Sequence, residues 1–406
     1  MTPITPQENS DQSVHRRRVY YIPGYDPIHP RRYRELYRKE GAAQAKISGY
    51  QIALKPKKTG GPYGWHVKTT IDGAATEADV EVLVWSDIVK SSMSRGILAT
   101  YVQLVRTAYA YIGSGALFRL ASLRKGPMIA ALYPIVFLLV QLLLACLAGW
   151  GVGALVALVH PLLGWSAGLG VVWAVLRTFK RWDNKIFAYY LMHDYAYSAQ
   201  AGGANPPELE ARMTAFRLEI RAALTAGFDE VLVVGHSSGA HLAVSVLADL
   251  LREGLPTGAA RLAFLSLGQV VPMVSFLPKA RRLRADLHYL SAQGELVWVD
   301  VTAPGDGCAF ALCDPVAVTG VSPPNKRWPL VISAAFTKTL SPARWKELRW
   351  RFFRLHFQYL CAFDRPGDYD YFLITAGPQS LAARYRDRPA SKSRIERPVS
   401  GYRDMA

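Results

Sequence analysis

Residues 231–239 read Val-Leu-Val-Val-Gly-His-Ser-Ser-Gly, and this stretch decides how the rest of the chain is read. Four apolar residues run into Gly235-x-Ser237-x-Gly239, and a helix-patterned segment over about 238–251 follows at once. That is the strand–turn–helix context in which a serine is lifted clear of a sheet. Glycines on either flank permit a turn too sharp for side chains, and the turn leaves the next backbone N–H aimed outward. A lone G-x-S-x-G arises by chance in about one chain in seven of this size. The flanking strand and helix therefore carry the reading.

Outward from the turn, the pattern alternates strand and helix. Short strands are predicted at 18–22, 48–54 and 65–71, and a more central one at 78–85. A basic helix is predicted over 31–45. Pro23-Gly24-Tyr25-Asp26-Pro27 is a dense turn signal after the first strand. Leu209, Met213, Phe216, Ile220 and Leu224 recur at helical steps and predict an amphipathic helix ending at Gly227. Beyond the turn come strands at 262–267 and 295–301 with a helix at 280–291 between them, then a long Arg- and aromatic-rich helix over 342–363. Such alternation implies an α/β fold with a mostly parallel sheet flanked by helices. In such sheets ligands sit at the carboxyl ends of the strands, where Ser237, Gly24 and the loop after Val301 all fall.

From Gly126 to Leu176 there is no Asp, Glu, Lys or Arg. That run exceeds the ~20 residues of one bilayer crossing and nearly suits two. It is read as an inserted two-helix transmembrane hairpin, about 128–147 and 155–176, with the turn near His160-Pro161 or Gly164; the bland alternative is a buried core helix plus a loop. Arg119, Arg124 and Lys125 precede the run, and Arg177, Lys180, Arg181 and Lys185 follow it. Positive charge on both flanks puts both on the cytoplasmic side. No apolar leader is visible in residues 1–18. The expectation is a multi-pass protein of the cell (inner) membrane, with the Ser237 region cytoplasmic.

The chain divides accordingly into a disordered start (1–17), a first α/β part (18–90), the membrane hairpin with its basic flanks (91–190), a second α/β part (191–383) and a disordered basic tail (384–406). The net charge of +17 matches anionic lipid headgroups beside the hairpin. No nucleic-acid recognition motif accompanies it, so no nucleic acid is expected as a partner. Four scattered cysteines fit free thiols. Cys308 and Cys313 lack a second ligand pair, so no metal is expected.

A serine hydroxyl needs a positioned base, usually a histidine held by a carboxylate. Past the turn and its own helix only His288 and His356 remain. His288 sits in a helix patterned for packing, so His356 is the preferred base. For the acid, Asp306 in the Pro-Gly-Asp-Gly stretch just beyond the strand at 295–301 is preferred. Asp314 is held in reserve, and Asp300 lies inside the strand. His236 beside the serine reads as a packing or polarity choice and not as the base, because a sharp turn points adjacent side chains apart.

The order Ser237, Asp306, His356 resembles that of the α/β-hydrolase superfamily of serine esterases and lipases. The resemblance covers about 18–85 and 206–379. It implies an oxyanion hole made by the N–H of Ser238 and one from the Pro23-Gly24-Tyr25 loop, with Tyr25 the favoured donor. The inserted hairpin departs from simple members of that family, as do the long stretches leading to Asp306 and His356. The resemblance implies a serine hydrolase acting on an ester, thioester or amide through an acyl-enzyme, without cofactor; a carboxylic ester is the favoured substrate, and the hairpin would anchor the protein to the membrane. Tethering suggests a lipid or other amphipathic small molecule as substrate. The alternative is a catalytically silent member that docks a partner or anionic lipid through its basic segments.

Overall fold

The computed structural model describes residues 13–57, 60–93 and 96–406. Of the start expected to be disordered, residues 1–12 lie outside the described residues. Ser13 is already bridged to Gln379, and β1 begins at Arg16. That part of the expectation is corrected.

The strands are β1 (Arg16–Ile22), β2 (Gln51–Pro56), β3 (Gly64–Ile71), β4 (Ala74–Val82), β5 (Glu230–His236), β6 (Arg261–Leu267), β7 (Leu296–Thr302) and β8 (Leu330–Ser333). They form one sheet in the order β2-β3-β4-β1-β5-β6-β7-β8. From β4 to β8 all neighbours are parallel, whereas β2, β3 and β4 run antiparallel, so the sheet is mixed. β5 lies between β1 and β6 and is buried along its whole length. Its unbroken apolar run is what a parallel strand covered on both faces requires.

The longer helices are α1 (Arg31–Ser48), α2 (Ile97–Gly113), α3 (Lys125–Ala157), α4 (Pro161–Arg181), α5 (Ala188–Ala199), α6 (Pro207–Ala223), α7 (Ser238–Arg252) and α8 (Arg281–Ala292). α6, α7 and α8 cover one face of the sheet. There the predicted stripe Leu209, Met213, Phe216, Ile220 and Leu224 joins the core with Val231, Val233 and Phe264. α1 and the segments after β8 cover the other face around Leu232, Val234 and Val299.

α3 and α4 are long and apolar enough to cross a membrane. At 1.5 Å per residue they span about 50 and 32 Å. Their turn lies at 158–160, just before Pro161: α3 continues to Ala157 instead of ending near 147, Gly164 lies inside α4, and His160 Nδ1 accepts the Leu162 N–H at 3.3 Å. The two helices meet through glycines: a Cβ at Gly149 would stand 2.7 Å from the Gly168 carbonyl oxygen, and one at Gly164 2.7 Å from that of Gly153. Two glycines four apart on each helix let the backbones approach closely. Pro134 lies inside α3 and removes one of its hydrogen bonds. α2 runs beside α3, where Tyr101 Oη donates to the Leu138 carbonyl at 3.0 Å, and it turns Leu98, Val102, Val105, Tyr109 and Ile112 outward.

Two further expectations are corrected. The helix over 342–363 is broken into Pro342–Leu348, Phe352–His356 and the 3₁₀ turn Gln358–Leu360. Arg351 leaves the helical region at φ −100°, ψ 68° and redirects the chain toward the strand ends. The tail from 384 is ordered. Ile395 exchanges backbone hydrogen bonds with Leu312 and Asp314, and the Asp404 carboxylate receives the fully buried Arg284 guanidinium at 2.8 Å. Composition alone read seven basic residues among Pro and Ser as unstructured; Ile395 and Val399 packing beside Phe310 and Val318 outweigh it. β8 had not been anticipated, being four residues long and preceded by a proline.

Candidate active site

β1, β5 and β7 run parallel, so the residues that follow them emerge at one edge of the sheet. After β5 the chain turns at Ser237, which has φ 56° and ψ −122°. A non-glycine residue held there stores roughly 1–3 kcal/mol of strain, which the surroundings must impose. They do so by close approach. A Cβ at Gly235 would lie 2.7 Å from Ala240 Cα, and one at Gly239 would lie 2.1 Å from the Ile22 carbonyl oxygen. The Ser237 N–H donates to the Leu267 carbonyl at 2.9 Å, tying the turn to the end of β6.

Gly24, after β1, comes against this turn: a Cβ there would stand 2.9 Å from Ser237 Cβ and 3.3 Å from its Oγ. The neighbouring Tyr25 is buried, its carbonyl accepting a hydrogen bond from Tyr190 Oη and its ring packed near Trp85 and Tyr197. Trp85 Nε1 donates to the Pro23 carbonyl at 2.9 Å, fixing the same loop. Ser238 opens α7, so its N–H belongs to the first turn, which has no acceptor within the helix.

Past β7, the Asp306 Oδ2 accepts His356 Nδ1–H at 2.7 Å and Tyr359 Oη–H at 3.0 Å, while Oδ1 accepts the Cys308 N–H at 2.9 Å. Burial alone would raise this carboxyl. The His356 charge and the hydrogen bonds from His356, Cys308 and Tyr359 together outweigh it and hold Asp306 below the ordinary carboxylate range. An ionised Asp306 accepts only, so His356 carries its proton on Nδ1. Its Nε2 is buried with no hydrogen-bond partner. Gly268, at φ +51°, makes room for the ring, because a Cβ there would come 3.0 Å from His356 Cε1.

Ser237, Ser238, Gly24, Tyr25 and His356 all line one cavity of about 740 Å³. The residue types chosen from sequence thus face a common space, and Asp306 stands behind His356. The other candidates do not. His288 Nδ1–H donates to the Val321 carbonyl at 2.8 Å, away from the cavity. Asp314 caps the helix Pro315–Thr319 and pairs with Lys326 at 2.5 Å.

Asp300 is buried in mid-β7 and accepts the Ser266 hydroxyl at 2.6 Å, with Oδ2 unpartnered. Burial pushes its carboxyl up to about 8. The native state therefore keeps a proton that the unfolded chain loses near pH 4, and stability falls as pH rises from there to about 8. Asp300→Asn removes that dependence. Its melting temperature relative to the parent is expected to rise between pH 5 and about pH 8 and to level off above that, and a constant offset from pH 5 to pH 8 would refute the assignment.

Sequence reasoning missed Tyr359 and Gly268 and left the task of His236 undefined. His236 is more than packing: its Nε2–H donates to the His356 carbonyl at 3.0 Å, and Nδ1 accepts from Tyr21 Oη at 3.3 Å. Burial, then the His356 charge, pushes it down to about 3, so it stays neutral and anchors the His356 turn. Tyr359 and Gly268 are set by contacts between segments far apart in sequence, and no local signal marks them. Cys308 brings a third potential metal ligand within 4.8 Å of Asp306 and His356, but the carboxylate and imidazole atoms are turned toward each other in a hydrogen bond. Comparison with protein-family models, curated proteins and solved structures finds no match for this chain.

Proposed function

We propose that this protein is a membrane-associated serine hydrolase of the α/β-hydrolase kind, acting on a carboxylic ester through an acyl-enzyme. One observation carries the reading. A serine in a strained turn at a strand's end shares a cavity with a histidine whose Nδ1 is held by a buried carboxylate and whose Nε2 is unpartnered.

In this reading Ser237 Oγ attacks the ester carbonyl while His356 Nε2 takes its proton. Asp306 stabilises the imidazolium that forms. The Ser238 and Tyr25 N–H groups receive the oxyanion, an arrangement in which each donor is worth roughly 100- to 1000-fold in rate. As the C–O bond to the alcohol breaks, His356 returns the proton to the leaving oxygen. Water, deprotonated by the same nitrogen, then attacks the acyl-Ser237 ester; the C–Oγ bond breaks, His356 returns the proton to Ser237 Oγ, and the carboxylic acid leaves. The chemistry needs neither metal nor nucleotide.

The basic residues at both ends of the α3–α4 pair support a two-pass anchor in the cell membrane with the α/β part on the cytoplasmic side. A fluorophosphonate probe is expected to label the wild-type protein and to leave Ser237→Ala unlabelled. Equal labelling of the two by mass spectrometry would remove the hydrolase reading and favour a silent docking protein.

A further inference from the structure

The wall of the candidate catalytic cavity includes Pro127, Ile129, Ala130 and Tyr133, which belong to α3. The helix read as entering the bilayer is therefore also a side of the cavity. Its depth follows from the glycine contacts. With Gly149 opposite Gly168, the basic end of α4 at Arg177–Arg181 stands level with about residue 140 of α3. From there to the turn near 158 is about 27 Å, close to one hydrocarbon thickness of ~30 Å. The first ~15 residues of α3 then stand clear of the hydrocarbon, with Tyr133 about 10 Å above it, at headgroup depth.

The cavity's rim has the composition of a membrane interface, aromatic rings among cations. Lys185 and Phe187 come from the segment after α4, and Trp350, Arg351, Phe352 and Arg354 from the segment leading to His356. Trp350 is 72% exposed. The two segments meet where the rings of Phe187 and Phe353 lie 5.1 Å apart. Arg351 and Arg354 share one carboxylate, Glu347, at 3.3 and 3.1 Å, so the rim keeps a positive excess. Two acids also line the cavity. Asp26 is engaged by Tyr33 Oη at 2.7 Å and the Ile28 N–H at 2.8 Å. Asp194 is pushed up to about 7 by burial, which keeps much of it uncharged near neutrality.

Resting on the hydrolase reading above, we infer that the substrate is an anionic amphiphile drawn from the adjoining leaflet. Its acyl chain would lie along α3, and its phosphate-bearing headgroup would be held by Lys185, Arg351 and Arg354.

The test uses phosphatidylglycerol and phosphatidylcholine with the same fluorogenic acyl chain, each dilute in neutral detergent micelles so that surface adsorption does not differ. The full-length wild type is expected to turn over the phosphatidylglycerol at least tenfold faster, by kcat/KM. The combined Lys185→Gln, Arg351→Gln, Arg354→Gln variant should lose that preference, each removed charge lowering it by up to about fivefold. Lys185→Glu alone should reduce it further than Lys185→Gln, which guards against a folding defect in the combined variant. Equal turnover of both lipids by a wild type that still takes up the fluorophosphonate would overturn this inference alone. Failure of the wild type to take up the probe would instead overturn the hydrolase reading beneath it.

Discussion

Asp306→Asn is expected to lower kcat on a soluble ester by about 10⁴-fold, the scale on which such a carboxylate acts. The loss has two parts. Asp306 accepts from His356 Nδ1 at 2.7 Å, and an amide there can present its NH₂ instead. The imidazole would then move its proton to Nε2, where it can no longer receive one from Ser237. Even in the retained tautomer, the imidazolium formed during attack would face a neutral group. Because the Cys308 N–H still donates to the remaining carbonyl oxygen at the Oδ1 position, the Asn variant should fold. Its melting temperature separates lost chemistry from lost structure. Activity within tenfold of wild type would show that Asp306 does not support His356.

Gly239→Ala is expected to destabilise the protein by about 3 kcal/mol or more and to abolish ester turnover. The added Cβ would stand 2.1 Å from the Ile22 carbonyl oxygen and 2.7 Å from that of Pro23. Both are backbone atoms of the strand that delivers Gly24 and Tyr25, so relief requires moving β1 or α7. Overpacking of this kind typically costs ~1–3 kcal/mol, and rigid backbone neighbours place it at the upper end or above. At roughly 1–2 °C per kcal/mol for a chain of 406 residues, the melting temperature should fall by about 3–6 °C. Activity should fall further than stability, because any shift separates Ser237 from the loop that receives the oxyanion. Gly96→Ala, where nothing lies within 4 Å, sets the baseline. A Gly239→Ala protein as active as the Gly96→Ala protein would contradict the close approach.

What could be read from the sequence was what local covalent geometry dictates. Gly235, Ser237 and Gly239 announce a turn within five residues, and the structure shows the crowding that makes each glycine necessary. The stripe from Leu209 to Leu224 follows from helical spacing in the same way. Asp306 and His356 could be chosen because strand ends and chain order narrow the field. The break at Arg351 could not, since residues 342–363 carry helix-compatible side chains throughout and only docking of His356 and Tyr359 on Asp306 bends them. The ordered tail was hidden for a related reason. Its partners, Leu312, Val318 and Arg284, lie about 80 to 120 residues upstream in sequence. Polar composition reports what a segment does alone and is silent about a groove waiting for it.

Pro134 stands one residue beyond Tyr133, between the stretch of α3 that walls the cavity and the stretch that pairs with α4. A proline there leaves the carbonyl four residues earlier without its helical donor, which softens the rod against bending at that point. On the proposed two-pass anchoring, tilting of the lower stretch as lipid thickness varies would be absorbed as flexure at the joint. The geometry around Ser237 would then be insulated from the mechanics of the bilayer.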